Sequence, residues 1–152
     1  MYFVTICTAQ RVHNLGIVDD SDLFWPSAQG QLIIDCWHEI PTRFPFIYLD
    51  ERQVMPNHMH GILGIDKPIS DQTDWQPNRF GPPQKTIGGV LRGFKAGVSK
   101  LAKQQGLAFG WQSLFHDRVI RNEDELNRIR AYIRANPANW PNDRNNPEGQ
   151  YM

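Results

Sequence analysis

Val54-Met55-Pro56-Asn57-His58-Met59-His60-Gly61-Ile62-Leu63 sets two histidines one residue apart inside a run that alternates like a strand. In an extended segment over 58–65, alternate side chains share a face, so His58, His60 and Ile62 point the same way. Two such imidazoles can grip one metal ion, although a divalent ion normally needs at least one more protein ligand. Two polar residues on a half-exposed strand have the same spacing, so the pair alone leaves both readings open.

Working outward, Phe46-Ile47-Tyr48-Leu49 and Gln53-Val54-Met55 form one strand, which should pair antiparallel with 58–65 across Pro56-Asn57. Upstream, residues 2–8 are rich in β-branched and aromatic types and predict the first strand. A polar turn and a short extended Leu15-Gly16-Ile17-Val18 follow. Phe24-Trp25-Pro26 is expected to stop extended structure. Ser27 then caps a helix whose apolar face is Ala28, Leu32, Ile33, Cys36, Trp37 and Ile40, ending near Pro41.

Downstream, 66–84 is broken by Pro68, Pro77, Gly81, Pro82 and Pro83 and reads as a mobile or functional loop. A second helix should run from about Thr86 to Gly106, with Ile87, Val90, Leu91, Phe94, Val98 and Leu101 on one side. Residues 111–121 favour a fourth main strand. Asn122 with Glu125 resembles a capping box, and Leu126, Ile129 and Ile133 give the last helix its buried stripe, with Pro137 expected to end it and 138–152 an irregular tail. This order predicts an α+β fold, a ferredoxin-like antiparallel sheet with helices packed on it and an appended C-terminal helix.

At 152 residues the chain is long enough for one domain spanning 1–152 with its own core. No apolar run approaches the ~20 residues that span a bilayer, which argues against a membrane partner. Met1 runs straight into a strand-like segment with no basic leader region, so a cytoplasmic location is expected. Cys7 and Cys36, far apart and without Cys-x-x-Cys spacing, read as reduced and buried. The net charge of zero hides an asymmetry: residues 1–78 hold 4 basic against 10 acidic residues, and 79–134 hold 11 against 4. The second segment has the basic footprint that a phosphate backbone requires, with Arg92, Lys95, Lys100, Arg118 and Arg121 as candidate DNA contacts. Solvated helix faces also carry such residues.

On the last helix Tyr132 and Asn136 lie four apart and project from the side next to Ile129, which should face the sheet. If that sheet surface carries His58 and His60, two imidazoles, an amide oxygen and a phenol hydroxyl meet at one point. Such a set can bind a divalent cation beside a nucleophile. Taken singly, Tyr132 reads equally as a core-edge residue and Asn136 as a helix-ending one.

Five ordered blocks resemble the REP-associated tyrosine transposases, relatives of the single-strand insertion-sequence transposases in the HUH nuclease superfamily. They are Tyr2-Phe3-Val4-Thr5-Ile6-Cys7-Thr8, Val54 through Ile62 of the opening stretch, Gly93-Phe94-Lys95, Trp111-Gln112, and Ile120-Arg121-Asn122-Glu123 with Tyr132-Ile133-Arg134-Ala135-Asn136-Pro137. The resemblance implies that His58, His60 and Asn136 ligate a metal and that Tyr132, on the C-terminal helix, is the nucleophile. A mixed imidazole and amide-oxygen set suits Mg²⁺ or Mn²⁺ before Zn²⁺ as cofactor, and the resemblance implies single-stranded or hairpin DNA as partner and strand cleavage and rejoining through a 5′-phosphotyrosine. Trp75, Phe80 and Trp111 are candidate platforms for unstacked bases. The chain departs from the family in two places: Phe115-His116-Asp117-Arg118 stands where members usually have an aromatic-Tyr-Asp-His run, and members usually carry a stretch ahead of the first strand. A non-cleaving hairpin-binding module or domesticated repressor on the same fold is the alternative, and a homodimer is left open.

Overall fold

In the computed structural model, residues 1–66 and 86–146 are described. The expected mobile loop, with Trp75 and Phe80, and the end of the tail lie outside them. The main sheet joins β1 (Tyr2–Cys7), β4 (Ile47–Met55), β5 (His58–Ile65) and β6 (His116–Val119) in the order β4-β5-β1-β6, with antiparallel neighbours. That order puts the two long central strands side by side, as a ferredoxin-like sheet requires. β5 coincides with the expected strand, and Met55 pairs with His58 across the two-residue turn Pro56–Asn57. The turn is buried, yet its carbonyls are satisfied: Pro56 O accepts from Leu15 N at 3.0 Å and Asn57 O from Thr8 N at 3.0 Å.

Strand alternation divides the sheet into two faces. Val4, Ile6, Val54, Met59 and Leu63 join the larger core against α1 (Ala28–His38) and α3 (Ile87–Gln104), which supply Leu32, Ile33, Trp37, Leu91, Phe94 and Val98. Phe3, Ile62, Ile120 and Ile133 form a smaller cluster on the other side, under α4 (Glu123–Asn139). Side-chain caps start all three long helices. Ser27 accepts from Gly30 N, Thr86 from Gly89 N and Asn122 from Glu125 N.

Three expectations need correction. Phe24-Trp25-Pro26 does not stop extended structure; it is β3 (Phe24–Pro26), paired with β2 (Gly16–Val18) in a separate ribbon. Proline is tolerated at that edge because its missing N–H is not needed there. The fourth main strand is only His116–Val119, since Trp111 makes a lone bridge to Thr8 and the stretch between is irregular. Pro137 lies inside α4, which continues to Asn139. In a last turn its missing N–H removes only the bond to the Ile133 carbonyl.

The helix α1 ends at His38, and a single turn, α2 (Ile40–Arg43), carries Pro41 near its start. Among the described residues no helix is long and apolar enough to cross a membrane. Cys7 is buried and Cys36 half-buried, and both are free thiols.

Gly61 sits between the two faces' demands. A Cβ there would come within 2.5 Å of the Trp37 ring, which lies against the sheet and is fully buried. Gly61→Ala should therefore destabilise the fold by about 1–3 kcal/mol, the range for an overpacked core. Urea unfolding reads this directly, and an unchanged midpoint would contradict the packing.

Candidate metal and nucleophile site

The face of the sheet under α4 carries the polar residues. Register pairs Thr5 with His60 on one side and with His116 on the other, and Cys7 with His58. His58 and His60 are 0% and 2% exposed, and their ring centroids lie 4.7 Å apart. Each has one ring nitrogen partnered: His58 Nδ1 lies 2.8 Å from Asn57 Oδ1, and His60 Nδ1 lies 2.8 Å from Thr5 Oγ1.

The His58 bond fixes a tautomer. Asn57 Nδ2 donates to the Asn145 carbonyl at 2.5 Å, and a carbonyl can only accept, so the side of the amide facing His58 is its oxygen. His58 Nδ1 must then carry the proton, leaving a lone pair on Nε2. The Thr5 hydroxyl can donate or accept, so it permits the same tautomer at His60.

From α4, Asn136 reaches the same place. Its Nδ2 donates to the Tyr132 carbonyl at 2.9 Å, which turns Oδ1 the other way. His58 Nε2, His60 Nε2 and Asn136 Oδ1 are all buried with no well-formed hydrogen bond, although the Asn136 amide lies near enough to His58 to favour a proton on its ring. A buried donor or acceptor left unpaired costs ~1–3 kcal/mol, so three together mark a place built for something else. Two neutral imidazole nitrogens and an amide oxygen suit a divalent cation of borderline or hard character. No group of three His, Cys, Asp or Glu residues suited to a metal occurs among the described residues. The amide is what completes this set.

Tyr132 stands beside it, 46% exposed. Its ring centroid is 5.5 Å from that of His60 and 6.2 Å from that of Phe3. Ile133 fixes the helix on Ile62, and two ion pairs hold it to β4: Arg130 clasps Asp50 with both prongs, at 2.8 and 2.5 Å, and Arg134 holds Glu51 at 2.9 and 2.5 Å. The Arg130 guanidinium keeps the Asp50 carboxyl below its ordinary range.

The five candidate DNA contacts are not gathered at the site. Lys95 Nζ donates to the Gln112 carbonyl at 2.7 Å and so ties the 111–114 stretch to α3. Arg118 pairs with Glu125 at 2.6 Å. Arg92, Lys100 and Arg121 are exposed, the first two on α3, the helix packed on the opposite side of the sheet. Trp111 is packed between Phe94 and Phe109.

Sequence reading missed a cleft of about 540 Å³ lined by Thr5, Cys7, Arg11, Gln112, His116, Arg144 and Asn145. Thr5 and Cys7, two apart on β1, share the face that carries His60 and His58, and this alternation is the part of the cleft that the sequence contains.

Electrostatics keep the pair neutral. Burial pushes His58 down to about 4; the Asn136 amide offsets part of this, and the charges of Arg11, Arg144 and His13 add to it. Burial pushes His60 down to about 3, helped by His58 and Arg144 and opposed by Asp143. Below the ordinary 6.5 the unfolded chain binds these protons and the folded one does not, so stability should fall as pH drops from 6.5 toward 4. The slope reaches at most about 1.4 kcal/mol per pH unit for each histidine. Urea unfolding in chelator between pH 7 and 4.5 should show it, and the double variant His58→Gln with His60→Gln should flatten it. Equal slopes in both proteins would contradict the assignment.

No family profile matches the chain. It is 34% identical over 149 residues to an uncharacterised protein of Haemophilus influenzae, with 93% of this chain and 82% of that one covered. Among solved structures it is similar to a REP-associated tyrosine transposase bound to a REP hairpin, with a TM-score of 0.61 at 19% identity over 91% of this chain and 67% of that one. The chain thus belongs to one family with the Haemophilus influenzae protein and has the fold of the REP-associated tyrosine transposases that its sequence blocks resemble.

Proposed function

We propose that this chain is a metal-dependent single-stranded DNA endonuclease and strand transferase that acts beside hairpins through a 5′-phosphotyrosine. The observation that carries this reading is the convergence of three unpartnered buried atoms, on His58, His60 and Asn136, next to a half-exposed tyrosine. A divalent cation held there, Mg²⁺ or Mn²⁺ before Zn²⁺, would withdraw charge from a non-bridging phosphate oxygen and ease attack at phosphorus.

The chain's own residues do the rest. The Tyr132 oxygen forms the new bond to phosphorus as the bond to the 3′ oxygen breaks. The phenol gives up one proton and the 3′ oxygen gains one. Because bonds of one kind are exchanged, the reverse step can join another 3′ end. The ion pairs to Asp50 and Glu51 hold α4 against its own sheet, which supports a nucleophile and ligands supplied by one chain. Its exposure leaves Tyr132 open to an incoming strand. Hairpin DNA as the partner is taken from the solved protein of the same fold, whose structure holds a REP hairpin. Lys95, whose ammonium is already held by two carbonyls, is a poorer phosphate contact than Lys100 or Arg121.

The test uses 3′-labelled single strands carrying hairpins from the gene's own flanks, with Mg²⁺ or Mn²⁺, and looks for label fixed to protein on a denaturing gel. An adduct is expected, lost at least about 100-fold both in Tyr132→Phe and in chelator. Cleavage that survives Tyr132→Phe would replace this reading with hydrolysis by water, and binding without any adduct would replace it with a DNA-binding module.

A further inference from the structure

The cleft beside the histidine pair carries positive charge that the chemistry above does not use. The sheet supplies Thr5, Cys7 and His116 to its lining. Thr5 pairs with His116 on β6 and with His60 on β5, and Cys7 pairs with His58, so the cleft adjoins the histidine strand directly. Of the seven residues that line its volume of about 540 Å³, two are the arginines Arg11 and Arg144 and none is an acid. Both arginines are exposed, and their charges are felt at the buried His58.

Arg11 is held there against the preference of its own backbone. Gln10 and Arg11 are both left-handed, with φ of 57° and 53°, a conformation that costs an ordinary L-residue ~1–2 kcal/mol. Bonds on both sides of the segment keep it so. Thr8 Oγ1 lies 2.9 Å from the Val12 carbonyl and 3.1 Å from that of Asn57, the residue before His58. Ala9 N donates to the Gly110 carbonyl at 2.8 Å, and Gln112 N donates to that of Cys7 at 2.9 Å. Strain retained in a segment that its surroundings over-determine belongs where a side chain has to be aimed. Here the side chain so placed is a guanidinium at the mouth of a polar cleft.

A guanidinium is a planar fork of donors that matches two oxygens of one phosphate. Positive charges that share a concavity also concentrate anions more than the same charges spread over an open face. The volume lies within the ~300–1,000 Å³ of pockets that hold ligand-sized groups, so the sugar attached to a phosphate fits as well. We propose that this cleft seats a phosphate of the bound DNA strand adjoining the one over the histidine pair, with Arg11 as its principal contact. The proposal deepens the reading of the chain as a DNA strand transferase and rests on it. Holding the strand at two phosphates, one at the histidines and one at Arg11, sets the angle at which the first meets Tyr132.

The experiment measures binding of fluorescent single strands from the gene's own flanks to the full chain, in chelator, over a series of salt concentrations. Arg11→Asn is the main variant, because asparagine enters the left-handed region readily and removes the charge while keeping the backbone. Lys103→Gln, an exposed base on α3, controls for net charge. We expect Arg11→Asn to raise the dissociation constant roughly tenfold at low salt. It should also lower the steepness of log affinity against log salt by about 0.7, the value for one phosphate contact on a single strand. Lys103→Gln should leave both nearly unchanged. Strands with one neutral methylphosphonate, moved along the sequence, locate the contact: one position should weaken the unaltered chain and leave Arg11→Asn unaffected. Equal affinity and steepness in Arg11→Asn, or the same methylphosphonate penalties in both proteins, would overturn the subsite and leave the proposed function standing. A like loss in Lys103→Gln would overturn it as a general charge effect. No binding of any flanking strand by the unaltered chain would overturn both readings.

Discussion

The hydrogen bond from His58 Nδ1 to Asn57 Oδ1 constrains everything around it. It decides which nitrogen of a fully buried imidazole keeps its lone pair, and it depends in turn on the Asn145 carbonyl holding the Asn57 amide one way round. A turn between two strands and a segment 88 residues later thus set one proton. Leaving His58 Nε2, His60 Nε2 and Asn136 Oδ1 unpaired costs ~1–3 kcal/mol each, against a stability of about 5–15 kcal/mol for an ordinary domain. A fold that holds three such atoms together gives up a substantial part of its stability, which a bound cation would return by mass action.

The sheet makes this tolerable by dividing the work between its faces. Trp37, Leu91, Phe94 and Val98 from α1 and α3 cover one face with a continuous apolar core. The other face carries only a small apolar cluster around Ile62 and Ile133, supported by the charged clasps from Arg130 and Arg134 to β4. Polar groups can therefore collect there without weakening the main core. Gly61 lies between His60 and Ile62 but faces the other way, and its missing side chain lets Trp37 lie close beneath the histidine strand. The same alternation that aligns the imidazoles places the glycine.

What sequence revealed was what local chemistry determines. Ser27 and Asn122 were readable as caps because capping needs one side chain and a backbone N–H three residues on. The β5 strand was readable from alternation, and the four candidate residues that the fold brings together were named from their spacing with the family resemblance. Phe24-Trp25-Pro26 was misread because proline's effect depends on whether its edge is paired, and Pro137 because in a last turn its missing N–H removes a single bond, that to the Ile133 carbonyl. The charge asymmetry overstated the free basic surface: Arg130 and Arg134 are matched by Asp50 and Glu51 from the acidic half, and Lys95 by two carbonyls. The two arginine pairings join residues 80 and 83 positions apart, and no window of sequence contains them.

The central claim is that the open atoms of His58, His60 and Asn136 are ligands. A crystal of the protein grown with Mn²⁺ and measured for anomalous scattering at the manganese edge tests it most directly. One strong peak is expected at about 2.1–2.4 Å from His58 Nε2, His60 Nε2 and Asn136 Oδ1 together. A crystal whose manganese sits only at surface carboxylates, with ordered water bridging these three atoms, would contradict it.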